Sequence, residues 1–289
     1  MDKLIKPTIS ITDPAFSKAT AACCVLAVDL SWDHVALGVY DPDRALWVAF
    51  ETWPSGKIYL PGHFLEKLMQ VKEASVLLNY TYSKTIMLWG GRMFALVPHA
   101  LFQESAREEY LKFSQNLQPG ELILQDTLKN IDALNVYTIP LVVKEGVGQL
   151  FPNAILHHAL STLTESLLIR FKNTQPAQHL ILNVGDQAFD MVVLKENKLV
   201  FCNSFEYKSA EDFIYYVLFV MEQLQIVPQQ SSVQVCGQLL KPSAIDDLLN
   251  KYIGKVSFLS RNPQWKYSYV FDELPGHMYY NLLNVMSCE

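Results

Sequence analysis

Residues 178–227 read QHLILNVGDQAFDMVVLKENKLVFCNSFEYKSAEDFIYYVLFVMEQLQIV. Three short apolar runs, separated by turn residues at 183–185 and 195–198, predict three β-strands. Ser209 and Asp212 then form an S-x-x-D capping box, and apolar residues at helical spacing follow them. The stretch therefore predicts three strands and an amphipathic helix, and the rest of the chain is organised around this unit.

An earlier stretch, 26–53, repeats the first part of this pattern. It reads LAVDLSWDHVALGVYDPDRALWVAFETW and matches without a gap when positions are shifted by 154. The shift places these pairs together: Leu180 on Leu26, Asn183 on Asp29, Val193 on Val39, Phe201 on Trp47 and Tyr207 on Trp53. Identities are few, but apolar runs and turns alternate in the same order, which indicates a duplicated unit and two lobes.

Composition restricts the class of protein. Half of the 289 residues are apolar and 18% are charged, so the chain can bury a large core. The net charge is −6 and no basic cluster is present, which argues against nucleic acid as a partner. The five cysteines form no CxxC pair, and neither a signal peptide nor a membrane span is recognisable. We expect reduced structural thiols, no membrane insertion and a cytoplasmic location.

The chain divides, on its sequence, into a first lobe at 1–140 and a second at 141–289. The first lobe begins with an extended arm, and its segment 85–140 is a possible inserted subdomain. A glycine-containing link at 141–152 marks the boundary, and the second lobe ends in an aromatic tail. The less regular segments predict a hairpin at 85–97, a helix at 98–117 and a helix at 154–171.

The predicted elements occur twice, between about 23 and 260, in the order strand–hairpin–strand–helix–strand–helix–strand. This order resembles that of the actin-like ATPase superfamily. The resemblance implies an α/β fold of duplicated ribonuclease H-like lobes, with mixed β-sheets flanked by helices. In that superfamily the first hairpin of each lobe holds phosphates, through loops resembling D-x-G-T and D-x-G-G-G-T-x-D. A third landmark, a strand ending in Gly-Gly, contacts the adenosine.

These landmarks survive only in part. The first falls on Asp29–Trp32, where the aspartate remains but Ser31 replaces the glycine and Trp32 the threonine. The second falls on Asn183–Asp190 and keeps Gly185 and Asp190, whereas Asp186 and Gln187 replace two glycines. The third keeps Gly237 alone. Phosphate loops need bare backbone N–H groups, and a negative side chain beside the phosphates would repel them. We therefore expect neither ATP nor Mg²⁺ as a cofactor.

This chain keeps the order of strands and helices but lacks several residues of the phosphate loops. In this respect it is similar to non-catalytic members of the superfamily. Such members include cytoplasmic assembly proteins of type IV pili and type II secretion, an actin-like cell-division protein and an uncharacterised bacterial actin-like family. The resemblance implies a protein-binding or scaffold module without catalytic residues, whose partner is another protein. Its oligomeric state stays open.

Alternative functions remain on the sequence alone. A divergent ATPase or kinase-like enzyme would hold Mg²⁺ through Asp29 and bind ATP through Asp29, Ser31, Gly185, Asp190 and Gly237. An α+β binding protein outside the superfamily is a third interpretation. A nuclease is disfavoured because the candidate strands lack the acids for two metals. Two further features are interpreted as structural: His34 as a loop residue within possible reach of Asp29, and the fragment Ser55–Gly56–Lys57 as a plain turn.

Overall fold

The computed structural model describes residues 5–54, 60–112, 117–175 and 178–288, so the predicted turn at Ser55–Lys57 lies outside the described residues. The chain divides into two compact units. The first unit runs to Glu165 and takes in Pro263–Glu273 and the segment from Asn281 onward. The second contains Ser166–Asn262 and Leu274–Tyr280. This division differs from the boundary expected at 140/141, because 141–165 and parts of the tail group with the first unit.

The strands are β1 (Ile9–Thr12), β2 (Val25–Leu30), β3 (His34–Asp41), β4 (Leu46–Pro54), β5 (Lys84–Trp89), β6 (Phe94–Pro98), β7 (Glu121–Leu128), β8 (Ala133–Pro140), β9 (Ile155–His158), β10 (Gln178–Val184), β11 (Ala188–Lys195), β12 (Lys198–Glu206), β13 (Ser232–Gly237), β14 (Lys255–Phe258) and β15 (Lys266–Tyr267). The α-helices are α1 (Lys18–Ala21), α2 (Pro61–Ala74), α3 (Arg107–Lys112), α4 (Leu141–Leu150), α5 (Ala159–Arg170), α6 (Ala210–Gln223), α7 (Ala244–Tyr252) and α8 (Tyr280–Leu283).

The first unit is built on a mixed sheet with the order β1-β4-β3-β2-β5-β9, and β15 pairs beside β4. Strand β2 is buried along its whole length, as its continuous apolar run predicts. It pairs antiparallel with β3 and parallel with β5, the pattern of a hairpin followed by a crossover. The N-terminal arm contributes β1, so it extends the sheet instead of remaining a free arm.

A separate small sheet, in the order β6-β8-β7, lies in sequence between β5 and α4. Met93, Val97, Leu111 and Val136 form a core of its own. The segment suspected of being an inserted subdomain thus has both its own sheet and its own core.

The second unit has a five-stranded sheet in the order β12-β11-β10-β13-β14. One face of β10 and β11 is apolar, because Leu180, Leu182, Met191 and Val193 alternate with residues of the opposite face. Helices α6 and α7 supply the residues that pack on it, among them Phe213. Ser209 caps α6 by accepting a hydrogen bond from the Asp212 N–H at 3.1 Å, as the capping box predicts.

The two hairpins repeat one pairing register. Leu26 pairs with Val39 in the first unit and Leu180 pairs with Val193 in the second, both shifted by the predicted 154 positions. The irregularity after Val39 also recurs after Val193. The third strand departs from the gapless alignment. In the first unit Trp47 pairs with Tyr40 and Trp53 with Val35.

The matching pairs in the second unit are Leu199 with Leu194 and Phe205 with Phe189. Trp47 and Trp53 therefore correspond to Leu199 and Phe205, two residues earlier than predicted. The cause is the turn, which is shorter between β11 and β12 than between β3 and β4.

Three local predictions in the first unit were wrong. The expected hairpin at 85–97 does not form, because β5 pairs with β2 and β9 while β6 pairs with β8. Within the described part of 98–117, the α-helix is confined to α3. The glycine-containing link is helix α4, in which Gly146 gives room to Leu65. A Cβ at Gly146 would lie 2.3 Å from the Leu65 side chain.

The helix expected at 154–171 begins with a strand, β9, before α5. His157 and His158 therefore lie on a strand and not on a helix. In the tail, Trp265 contacts Tyr40 of β3 and Phe271 contacts Phe50 of β4, so this part of the tail packs back on the first unit's sheet. Cys24 and Cys236 are buried as predicted, whereas Cys23 is exposed. In the part of the chain that the structure describes, no helix is long and apolar enough to cross a membrane.

Candidate functional site

Asp29 is the last residue but one of the buried strand β2, and only 3% of its surface is exposed. Each of its carboxylate oxygens contacts a residue that follows β2, one in the turn and one at the start of β3. The Ser31 hydroxyl donates to Oδ1 at 2.6 Å, and His34 Nε2 lies 3.4 Å from Oδ2. The interpretation of His34 as a loop residue was wrong, because His34 belongs to strand β3 and contacts Asp29, the alternative that was within reach on the sequence.

A second carboxylate holds the other side of the His34 ring. His34 Nδ1 lies 2.6 Å from Asp33 Oδ1. Burial acts to lower the pKa of His34, but the hydrogen bonds and negative charges of Asp29 and Asp33 outweigh it and raise the pKa to about 10. His34 is therefore a cation at neutral pH, and the first hairpin contains its own positive charge between two carboxylates.

Trp32 occupies the position of the threonine in the superfamily loop. Its ring meets Phe64 of α2 edge-on with centroids 4.7 Å apart, and the Arg92 guanidinium carbon lies 4.8 Å from the ring centroid. The turn is thus filled by an indole that packs within the first unit.

In the second unit, Asp190 of β11 accepts from two neighbouring strands. The Asn183 side-chain amide donates to Oδ2 at 3.0 Å, and the Ser204 hydroxyl donates to Oδ1. The same Asn183 accepts from the Cys236 thiol at 3.6 Å, and burial raises the pKa of that thiol. Asp190 is therefore part of a chain of polar side chains across β12, β11, β10 and β13.

The two predicted glycines carry backbone contacts of the second unit. Gly185 accepts from the Tyr207 hydroxyl at 2.5 Å, and its N–H donates to Ala188 at 2.9 Å. Gly237 has a φ of +89°, and a Cβ there would lie 2.3 Å from the carbonyl oxygen of Val184. Its N–H donates to the His277 carbonyl at 2.9 Å. Both glycines thus have roles in holding the sheet and its turns.

Comparison with known proteins assigns the chain. The family described as "Protein of unknown function (DUF3822)" matches residues 13–256. The chain belongs to this family. No curated protein matches it. A solved structure from Bacteroides thetaiotaomicron, described as a protein with actin-like ATPase fold and unknown function, is similar with a TM-score of 0.80 and 20% identity, over 95% of this chain and 99% of that one.

Two further solved structures have the same fold. The "PilM-PilN type IV pilus biogenesis complex" gives a TM-score of 0.60 at 11% identity, over 92% of this chain and 98% of that one. The ethanolamine utilization protein EutJ from Carboxydothermus hydrogenoformans gives 0.50 at 10% identity, over 96% and 93%. The actin-like ATPase fold that the sequence predicts is confirmed, and so is the resemblance to the uncharacterised bacterial and pilus-assembly relatives.

A third cluster of polar groups surrounds Asp126 and holds neighbouring elements of the first unit together. Asp126 of β7 accepts from the His158 backbone N–H and from the Ser161 hydroxyl, both at 2.7 Å, and thus joins β7 to the start of α5. The His158 ring instead contacts main-chain groups, with Nε2 3.0 Å from the Gly91 carbonyl. Burial lowers the pKa of His158 to about 4, so the ring stays neutral.

The structure groups the predicted residues within each unit. Asp29 accepts a hydrogen bond from Ser31. Asp190 accepts one from Asn183 of β10, Gly185 follows the end of β10, and Gly237 pairs with Val184 of the same strand. Ser204 was not predicted from the sequence. The pairing of β11 with β12 places it opposite Asp190. In the described ranges, no group of three or more His, Cys, Asp or Glu side chains could hold a metal ion.

Proposed function

We propose that this protein is a non-catalytic, cytoplasmic protein-binding module that uses the actin-like fold as a scaffold. One observation carries the proposal: the aspartates that correspond to the superfamily's nucleotide loops are bonded within their own hairpins. Asp29 is held by Ser31 and His34, and Asp190 by Asn183 and Ser204. A carboxylate whose oxygens already accept such bonds has fewer acceptor sites left for a cation.

The residues of both hairpins fit magnesium-ATP poorly. Beside Asp29, the place of a cation is taken by the His34 imidazole, and Ser31 and Trp32 add side chains where a bare loop is needed. In the second hairpin, Asp186 adds a negative charge to the loop. Two unit charges about 4 Å apart repel by roughly 4 kcal/mol at an effective dielectric constant of about 20. We therefore derive no chemical step through a nucleotide or a metal.

A protein partner is favoured by the fold relatives and by the surface. The PilM relative was solved in a complex with PilN, so this fold is compatible with binding another protein. The chain lacks a basic cluster and has a net charge of −6, which disfavours nucleic acid. Large apolar side chains, including Tyr215 and Phe219, are exposed on one helix of the second unit.

A thermal melt with magnesium-ATP, beside magnesium alone, tests the proposal. A ligand at about 100 times its Kd stabilises a native protein by roughly 2.7 kcal/mol, which is a Tm shift of about 2–4 °C for a protein of this size. We expect no shift at millimolar ATP. A shift that Asp29→Asn abolishes, but that the exposed control Glu145→Gln leaves intact, would instead establish the ATP-dependent alternative.

A further inference from the structure

The exposed side of α6 carries aromatic residues between two acids. Glu211, Tyr215, Phe219 and Glu222 are spaced four, four and three residues apart, so they lie on one side of the helix. We call these four residues the α6 stripe. Tyr215 is 62% exposed and Phe219 45% exposed, and their rings stack with centroids 6.2 Å apart. Two stacked rings in water form a contiguous apolar patch, and such patches mark interaction sites.

The apolar surface continues below the stripe. Tyr216 packs on Tyr215 at 5.5 Å and on Phe205 of β12 at 5.1 Å, and Phe205 stacks on Phe201 at 6.3 Å between centroids. All of these rings belong to the second unit, and β12 is the end strand of its described sheet. The stripe therefore rests on a row of packed aromatic rings, and it gives a partner a firm surface that needs little reordering.

The acids at the two ends identify the kind of partner. Glu211 lies in the first turn of α6, where an acid favours the helix dipole, but Glu222 lies in the last turn, where an acid opposes it. Glu222 is therefore not explained by the stability of α6. Lys208 precedes the helix, but Glu211 and Asp212 outnumber it at that end. The stripe is thus apolar in its middle and acidic at both ends.

A second copy of the chain fits this charge pattern badly. In an antiparallel pair of α6 helices, Glu211 would face Glu222 of the second copy, and in a parallel pair each acid would face itself. Like charges placed opposite each other destabilise such contacts. Anionic membrane surfaces and nucleic acid are disfavoured by the same charges.

We infer that the α6 stripe binds an amphipathic helix of another protein, one that carries Lys or Arg at both ends of an apolar face. Glu211 and Glu222 are separated by about 16 Å along the helix, since each residue rises about 1.5 Å. The partner helix then has two basic residues eleven positions apart, with apolar residues on the same face between them. This inference rests on the proposed function and adds the partner's chemistry to it.

A designed helical peptide tests the inference on the full-length protein. The peptide has about 20 residues, enough for an alanine-rich helix, with two arginines eleven positions apart and two leucines between them on one face. A second peptide has glutamates in place of the arginines. Fluorescence anisotropy at low and at physiological salt measures binding of each. We expect the arginine peptide to bind at least tenfold more tightly, with a difference that shrinks as salt rises.

Variants of the chain sharpen the test. Tyr215→Ala with Phe219→Ala is expected to weaken binding about tenfold or more, as for aromatic hot spots. Glu211→Lys with Glu222→Lys is expected to reverse the preference to the glutamate peptide. Glu66→Lys with Glu145→Lys, two exposed acids on helices of the first unit, is the matched control because it changes the net charge equally. This control should leave the preference unchanged, and melting curves check that each variant is folded.

Several results would overturn the inference. These are equal affinity for the two peptides, no binding at millimolar concentration, a control that acts as strongly as the stripe variant, or a dimer that Tyr215→Ala with Phe219→Ala dissociates. The ATP melt on the same preparations separates the two levels. If the peptide does not bind and ATP does not shift the Tm, only the inferred role of the α6 stripe is wrong. If ATP shifts the Tm and Asp29→Asn abolishes the shift, the proposed function is wrong as well.

Discussion

The first hairpins of the two units have the same backbone pairing but stabilise their aspartates differently. Leu26–Val39 and Leu180–Val193 are equivalent pairs, and the strand irregularity follows at the same place in both. In the first unit, the Asp29 carboxylate meets a histidine that is also held by Asp33. In the second, neutral donors, the Asn183 amide and the Ser204 hydroxyl, bond to Asp190.

The difference indicates that the fold fixes the hairpin while the aspartate and its partners are free to change. Asp29 lies on the first strand, where the second unit has Asn183, and Asp190 lies on the second strand, opposite Asn183. Backbone hydrogen bonds along the sheet set the register in both units, and they do not depend on which side chain follows the strand. The carboxylate of Asp29 is buried and that of Asp190 is half-buried, and both need donors. One unit supplies a cation and the other neutral groups, and the two solutions respond differently to mutation and to pH.

The largest effect is expected from His34→Ala, which removes the cation beside the buried Asp29. Breaking a buried ion pair by removing one partner costs about 3–5 kcal/mol, because the remaining charge is uncompensated. Urea unfolding of the variant should show this loss in the free energy of unfolding. Asp29→Asn combined with His34→Ala should lose less than His34→Ala alone, since the buried charge is then absent. A loss below about 1 kcal/mol for His34→Ala would mean that Asp29 does not depend on this cation.

Much of the fold was predictable because its signals are local. The apolar runs of β2 and β11 and the capping box at Ser209 each depend on a few neighbouring residues, and each was confirmed. Pairings between distant segments were not predictable. β5 and β6 flank Gly90–Gly91 like the arms of a hairpin, yet they join different sheets. β9 forms because Ile155 and its neighbours pair with β5, far away in sequence.

The candidate site was predictable in its residues but not in its interactions. Gly237 was aligned with an adenosine-binding landmark, whereas the structure gives a backbone reason for it, the close approach of the Val184 carbonyl. Ser204 carried no motif, and it becomes relevant only through its register opposite Asp190. A motif places a residue on the fold, but a hydrogen-bond partner on the next strand depends on the length of the intervening turn.

An intermediate effect is expected from Ser204→Ala, and Ser31→Ala is its counterpart in the first unit. A hydrogen bond to a charged group contributes about 1.5–3 kcal/mol, and Ser204→Ala should lose about this much because the hydroxyl contacts Asp190 directly. Ser31→Ala should lose less, since His34 still compensates the charge of Asp29. Urea unfolding of both variants under one condition compares them. If Ser31→Ala is the more destabilising of the two, the cation is not the main stabilising contact of the first hairpin.

The smallest change per measured step, at most about 1.4 kcal/mol per pH unit, is a pH dependence that belongs to the first hairpin. The folded-state pKa of His34 is raised to about 10 from an ordinary value near 6.5, so the folded protein holds a proton that the unfolded chain releases. This contribution is complete below about pH 6.5 and is lost as the pH rises towards 10. Between pH 7 and 8.5 the free energy of unfolding should therefore fall by up to about 1.4 kcal/mol per pH unit. His34→Gln should remove this slope, while Ser204→Ala should retain it. An equal slope in His34→Gln would assign the pH dependence to other groups and remove the charge difference between the two hairpins.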